Sequence, residues 1–228
     1  NMGVPDAKSY HLVTPGYGSA ANLAIGAANP YFVRFATSAT TTVLADAMAQ
    51  NPTFFSLWIG GNDVLSYSTS GGTNSTTVGG VTTYTTATDQ TGNTNPATYK
   101  SNDISDPNVV AGSIKAVLDG LKSKGATKGV ISNIPYVTSI PYFTRVPYNP
   151  IPLSAASASA LNANFGQLNA ALTSLGQAKR FVTLSSASSN PVLIIDKSLL
   201  DIAPYLPANL KMYGQARHAT AEDLILLP

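Results

Sequence analysis

Between Thr53 and Ile59 the sequence reads Thr-Phe-Phe-Ser-Leu-Trp-Ile and is then closed by Gly60-Gly61. A continuous apolar run this short fits a strand buried on both faces, and such strands belong to parallel sheets. Parallel strands need long crossover connections, usually helical. The flanking sequence supplies them. Thr40 to Gln50 patterns as a helix with Val43, Leu44, Ala47 and Met48 on one side. Asp106-Pro107 starts another by the N-cap and first-turn proline rule, Val110, Ile114, Val117 and Leu121 give it an apolar stripe, and Gly125 ends it. Lys128 to Pro135 reads as the next strand with its exit loop. Ser154 caps a longer helix in which Leu161, Phe165, Leu168, Leu172 and Leu175 recur. Arg180–Leu184 and Val192–Ile195 pattern as two short strands that can pair with each other. Thr220-Ala221-Glu222-Asp223 has the acidic first turn of a further helix. Alternation of this kind predicts one α/β layered domain over residues 1–228.

Two stretches depart from the alternation. Residues 1–35 are rich in Gly, Pro, Asn and aromatics and read as loop with short ordered pieces. Residues 66–105 turn Ser/Thr/Gly/Asn-rich, with Gly79-Gly80 set between β-branched residues, a two-residue hairpin signal. This is an insertion within the domain, either a decorative surface loop or a lid over a substrate.

Composition narrows the function. The chain of 228 residues has 13 Lys and Arg against 11 Asp and Glu, a net charge of +2. The basic residues are scattered, which excludes a nucleic-acid footprint. No apolar run approaches the ~18 residues of a membrane span. Cysteine is absent, and the two histidines are far apart, so no metal-ligand cluster is expected. Gly16-Tyr17-Gly18-Ser19-Ala20-Ala21 imitates a dinucleotide fingerprint, but no strand precedes it and no acid follows at the needed distance, so no cofactor is expected. A charged share of 11% and the Ser, Thr, Asn and Gly content suit an exported protein, whether periplasmic, outer-membrane-attached or extracellular.

The motif with most chemical content is Trp58-Ile59-Gly60-Gly61-Asn62-Asp63, directly after the apolar run. Strand ends of open α/β sheets are where ligands bind. An Asn there can aim its amide N–H at a developing negative oxygen. Gly60-x-Asn62-Asp63 resembles the third sequence block of the SGNH/GDSL ester hydrolases. Asn1-Met2-Gly3-Val4-Pro5 resembles that family's second block, Asn-x-Gly-Val-x-Gly, and the stretches around Pro30-Tyr31-Phe32 and Ile140-Pro141-Tyr142-Phe143 resemble its exported bacterial branch. The likeness implies a flavodoxin-like parallel sheet with helices on both faces, plus the inserted hairpin around 66–105. It also implies serine-dependent hydrolysis of a small-molecule or lipid ester, with an oxyanion held by the serine N–H, a second-block glycine N–H and the third-block asparagine.

The carry-over is partial. Asn62 takes the asparagine role, flanked by Gly60 and Asp63, while the second-block glycine aligns with Asp6. A carboxylate ~4 Å from the oxyanion would cost ~4 kcal/mol at an effective dielectric near 20, enough to cancel one donor worth ~3–4 kcal/mol. If the side chain turns to solvent, little is lost. The Gly-Asp-Ser and Asp-x-x-His blocks are not in these residues: three positions before His11 stands Lys8, and before His218, Gln215. His218 is expected to be an exposed polar residue, His11 a structural one that could line the cleft. With abrupt ends at Asn1 and in the apolar run Leu224-Ile225-Leu226-Leu227-Pro228, the chain reads as the central piece of a longer hydrolase, inactive by itself, with further polypeptide beside residues 53–59. The competing reading is a non-catalytic carbohydrate-binding or surface-attachment module using the same crevice.

Overall fold

The chain reaches its first strand through two short helices. In α1 (Pro30–Val33) the Asn29 side chain accepts the N–H groups of Tyr31 and Phe32. Thr42 caps α2 (Val43–Ala49) in the same way, accepting from Ala45. Then come β1 (Phe54–Leu57), α3 (Asn62–Thr69), β2 (Thr73–Val78), β3 (Val81–Thr86), α4 (Pro107–Ser123) and β4 (Lys128–Ile131). These make up the first of two units, Asn1–Val137. The second, Thr138–Pro228, holds α5 (Pro141–Thr144), α6 (Ala155–Ser174), β5 (Leu193–Ile195) and β6 (Ala216–His218). The structure, a computed structural model, describes residues 2–225. Asn1 of the second-block pattern and Leu226-Leu227-Pro228 of the terminal apolar run lie outside the described residues.

The α/β class holds in coarse form, as helices mixed with small sheets. β1 and β4 are parallel, with Phe55 beside Gly129 and Leu57 beside Ile131. The other two sheets, β2–β3 and β5–β6, are antiparallel pairs. α4 buries Val117 and Leu121, which with Ala126 pack against Leu44, Ala47 and Met48 of α2 and Phe55 and Leu57 of β1. Gly129 is required there, because a Cβ at that position would run into the Phe55 ring.

The opposite face of this pair corrects the expectation of a strand buried on both sides. Phe54 is 57% exposed and Trp58 74%. Helices cover only the Phe55 and Leu57 face, and the period of two leaves Phe54 and Ser56 on the other. The outer edge of β1 has no ladder partner among the described residues.

The insertion is a hairpin, as its sequence predicts. Gly79 and Gly80 both have positive φ, 58° and 80°, as a two-residue turn between right-twisted strands requires. Its base is gathered by Asp103, which is 1% exposed. That carboxylate accepts from Asn74 Nδ2 at 2.9 Å, Gln90 Nε2 at 2.6 Å, and the N–H groups of Thr88 and Lys100 at 2.9 Å each. Burial alone would raise its pKa, but the donors outweigh burial and hold it below the ordinary carboxylate value.

In the second unit Ser154 caps α6 by accepting from Ser157, as expected. The buried face of α6 is Ala158, Phe165, Leu168 and Leu172, packed with Phe181, Ile202 and their neighbours. Leu161 is exposed, and Ala158 takes its place on that face. Residues 180–184 do not form a strand, and β5 pairs with β6 instead. Two α6 amides take the peptide groups of Phe181 and Leu184 and the Arg180 N–H, while Arg180 O accepts the His218 N–H at 3.0 Å. Asn169 Oδ1 accepts from Arg180 and Phe181 N–H, and its Nδ2 donates to Phe181 O at 2.7 Å. Asn162 Oδ1 accepts from Leu184 N–H at 2.8 Å, and its Nδ2 donates to Leu184 O at 2.9 Å. Seven helical residues rise about 10.5 Å and three extended residues span about 10 Å, so the two amides meet the two peptides in register.

His218 is the clearest reversal. It is 4% exposed, set edge-on against the Phe165 and Phe181 rings, with Nδ1 accepting the Val182 N–H at 2.9 Å. Thr220–Asp223 is a turn, because the Asp223 carboxylate is occupied by the Arg217 guanidinium at 2.7 and 2.8 Å and by the Thr220 N–H.

Asn169→Ala should therefore cost about 1–3 kcal/mol, since it strips partners from buried peptide groups. Leu161→Ala should stay within about 0.5 kcal/mol. Urea unfolding of the two variants checks both values, and equal stabilities would contradict the role given to Asn169.

Candidate functional site

Gly60 carries the chain from β1 into α3. Its φ is +102°, a conformation that favours glycine, and a Cβ there would sit 2.5 Å from Ile134 Cδ1. Asn62 and Asp63 follow as the first residues of α3. Asp63 is 1% exposed, and its carboxylate accepts the Ser9 N–H at 2.8 Å and the Ser9 hydroxyl at 2.9 Å. Asn62 Nδ2 donates to Ala7 O at 3.1 Å. The segment after Pro5 is thus fastened to the turn after β1, two pieces of sequence that the family resemblance expects to meet.

Asp6 lies at that junction with φ +62°, the left-handed conformation that a glycine adopts without strain. Its side chain is exposed. Asp6 and Asn62 both line a cavity of about 970 Å³ in the first unit, together with Tyr10, His11, Tyr17 and Tyr99. Gly60 is buried and does not line it. The structure therefore brings two of the three expected site residues to one cavity, with the third shaping the turn.

His11 is held tightly. The Lys8 N–H donates to its Nδ1 at 3.0 Å, so in the neutral ring the proton sits on Nε2. The ring stacks on Tyr17, with centroids 4.2 Å apart and planes 14° apart. Burial first, and the Lys8 charge second, pull its pKa down to about 4. Lys8 donates its ammonium to Asp103 O at 2.6 Å. Burial lowers its pKa, against the opposing pull of Asp63 and Asp103.

Three of the hydroxyls on the cavity lining are turned to backbone carbonyls of their own segments. Ser66 donates to Asn62 O, Thr14 to Tyr10 O and Thr69 to Leu65 O. Among the described residues no group of three or more His, Cys, Asp or Glu is placed to hold a metal. Sequence reasoning passed over Tyr10, Tyr17 and Tyr99 as cavity residues. The aromatic density of residues 1–35 was the available signal for the first two, but nothing local tied Tyr99 to them.

A pH dependence follows from the histidines. An unfolded chain protonates His11 near 6.5, the folded one near 4, so the fold loses stability as pH falls through that window and keeps it above. Burial lowers the His218 pKa as well, which adds to the loss. Asp46, Asp103, Asp106 and Asp223 are held below their ordinary 3.8, so their contributions disappear only at lower pH. The urea midpoint should fall between pH 6.5 and about 4, less steeply in His11→Gln. A midpoint flat over that range would contradict the burial of these rings.

No protein-family model, no curated protein and no solved structure matches this chain, so what the cavity does has to come from its own residues.

Proposed function

We propose that this chain carries the oxyanion side of a serine-dependent carboxylic-ester hydrolase of SGNH/GDSL type, with nucleophile and base supplied by polypeptide outside these residues. The observation that supports this best is the junction of Asn62 with Ala7 beside Asp6, on the wall of a cavity and after the end of a parallel strand. One amide N–H of Asn62 is spent on Ala7 O, which fixes the plane of the amide. The second N–H is left to donate to a developing oxyanion. The left-handed backbone of Asp6 is one that a glycine, the residue the second block has there, adopts without strain. In this reading β1 and β4 are the centre of a flavodoxin-like sheet, further polypeptide adds to the bare edge of β1, and the protein is exported.

The charge on Asp6 sets a limit. Its carboxylate is exposed, so water screens it from the oxyanion and the loss stays well below the ~4 kcal/mol of a close contact. A non-catalytic carbohydrate-binding module would use the same cavity but would have no need of the Asn62 amide in turnover.

The test uses the protein expressed from its complete reading frame, assayed on a nitrophenyl ester. Asn62→Ala should lower kcat roughly a hundred-fold with little change in KM, because the amide binds the transition state more strongly than the ground state. An unchanged kcat would reduce Gly60-Gly61-Asn62-Asp63 to a turn. Asp6→Gly should leave kcat the same or raise it. A large loss in a folded Asp6→Gly protein would give the carboxylate a positive role and contradict this reading of the junction.

A further inference from the structure

Three charged residues line the Asn62 cavity, Asp6, Lys8 and Lys100. Asp6 and Lys100 are exposed at its surface and opposite in sign, while the charges deeper in the protein are held by internal partners. Lys8 is bound to the Asp103 carbonyl, Asp63 to Ser9, and the Asp103 carboxylate to four donors of the insertion. Neutral hydrogen-bonding groups are left over. The Tyr10 hydroxyl has no hydrogen-bond partner among the described residues, although the residue is only 9% exposed. His11 presents Nε2–H, because Nδ1 is taken. Asn95 uses its oxygen on the Ala97 N–H, which leaves its NH₂. Asn102 uses its NH₂ on Thr73 O, which leaves its carbonyl.

The walls do not suit a long hydrocarbon chain. Ile25 and Leu65 are the only large aliphatic side chains that line the cavity among the described residues, and burying an acyl chain is favourable only against apolar surface. Tyr99, half-buried and edge-on to Tyr10 at 5.7 Å, adds an aromatic surface. Flat rings beside planar amides bind the C–H faces and the hydroxyls of a sugar respectively. The volume of about 970 Å³ is at the upper end of the roughly 300–1,000 Å³ of ligand sites, room for more than one ring.

We propose that the cavity binds an uncharged saccharide, and that Tyr10, His11 and Asn95 hold its hydroxyls. This rests on the ester-hydrolase reading only in making the saccharide the alcohol side of the ester. The cavity then selects an acylated glycan over a lipid.

Calorimetric titration of the protein expressed from its complete reading frame with xylohexaose, maltohexaose and chitohexaose, and separately with decanoate, tests it. Saturable binding of at least one oligosaccharide is expected below about 10 mM, with none for decanoate. Tyr10→Phe, which keeps the ring, and Asn95→Ala should each weaken the binding about five-fold or more, with circular dichroism unchanged. Binding of decanoate alone, binding of no probe, or oligosaccharide affinity equal in both variants would overturn the proposal. The two readings fail separately. Ester turnover that depends on Asn62 without oligosaccharide binding removes the saccharide and keeps the hydrolase. Oligosaccharide binding that depends on Tyr10, with kcat indifferent to Asn62→Ala, removes the hydrolase and keeps a sugar-binding cavity.

Discussion

Asp63 brings a carboxylate into the interior of the first unit, and both of its oxygens are answered by Ser9. Burying such a group without partners costs several kcal/mol, so the geometry of its partners is not negotiable. The partner is a residue 54 positions earlier, in a segment with little regular structure of its own. Through that contact the one-turn 3-10 helix Ser9–Val13 acquires a fixed place, and with it Tyr10 and His11. The Asp63 backbone carbonyl reaches the other way, accepting the Ser105 N–H at 3.0 Å. One residue at the start of α3 therefore ties together the opening segment, the turn after β1 and the end of the insertion.

The insertion has two physically different parts. Its strands beyond Asn74 are exposed, with Val78, Val81 and Tyr84 bare to solvent. Its base, gathered by Asp103, supplies Asn74, Asn95, Tyr99 and Asn102 to the cavity. Neither description offered by the sequence, loop or lid, fits the whole stretch: the base is wall, and only the tip projects. The same carboxylate that closes the base satisfies four polar groups of the segment at once, so their hydrogen-bonding capacity is used inside the protein.

What was legible in the sequence is what local rules govern. Asp106 and Ser154 as caps, Gly79-Gly80 as a hairpin turn and the apolar stripe of α4 all depend on residues within a few positions of one another. What was not legible depends on partners far along the chain. His218 reads as exposed beside Arg217, yet its acceptor function is used by Val182 and its ring by Phe165 and Phe181. Residues 180–184 have the composition of a strand, but their partners are the Asn162 and Asn169 side chains of α6 and His218. At the site, Asn62 and Gly60 were visible because a glycine turn after an apolar strand is a local signal. The tyrosines were not, because contacts far along the chain bring them there, Asp63–Ser9 for Tyr10 and the Asp103 cluster for Tyr99.

The pair Asn162 and Asn169 acts as a gauge on the chain. Two amides a fixed distance apart on a rigid helix grip Phe181 and Leu184, so they specify how many residues lie between and not which ones. Val182, more than half exposed, and Thr183 face few demands on their identity. Adding or deleting a single residue between the grips would leave one amide facing no peptide and would pull the Val182 N–H off the His218 ring. Length in this stretch is under tighter physical control than composition, the reverse of what surface loops ordinarily permit.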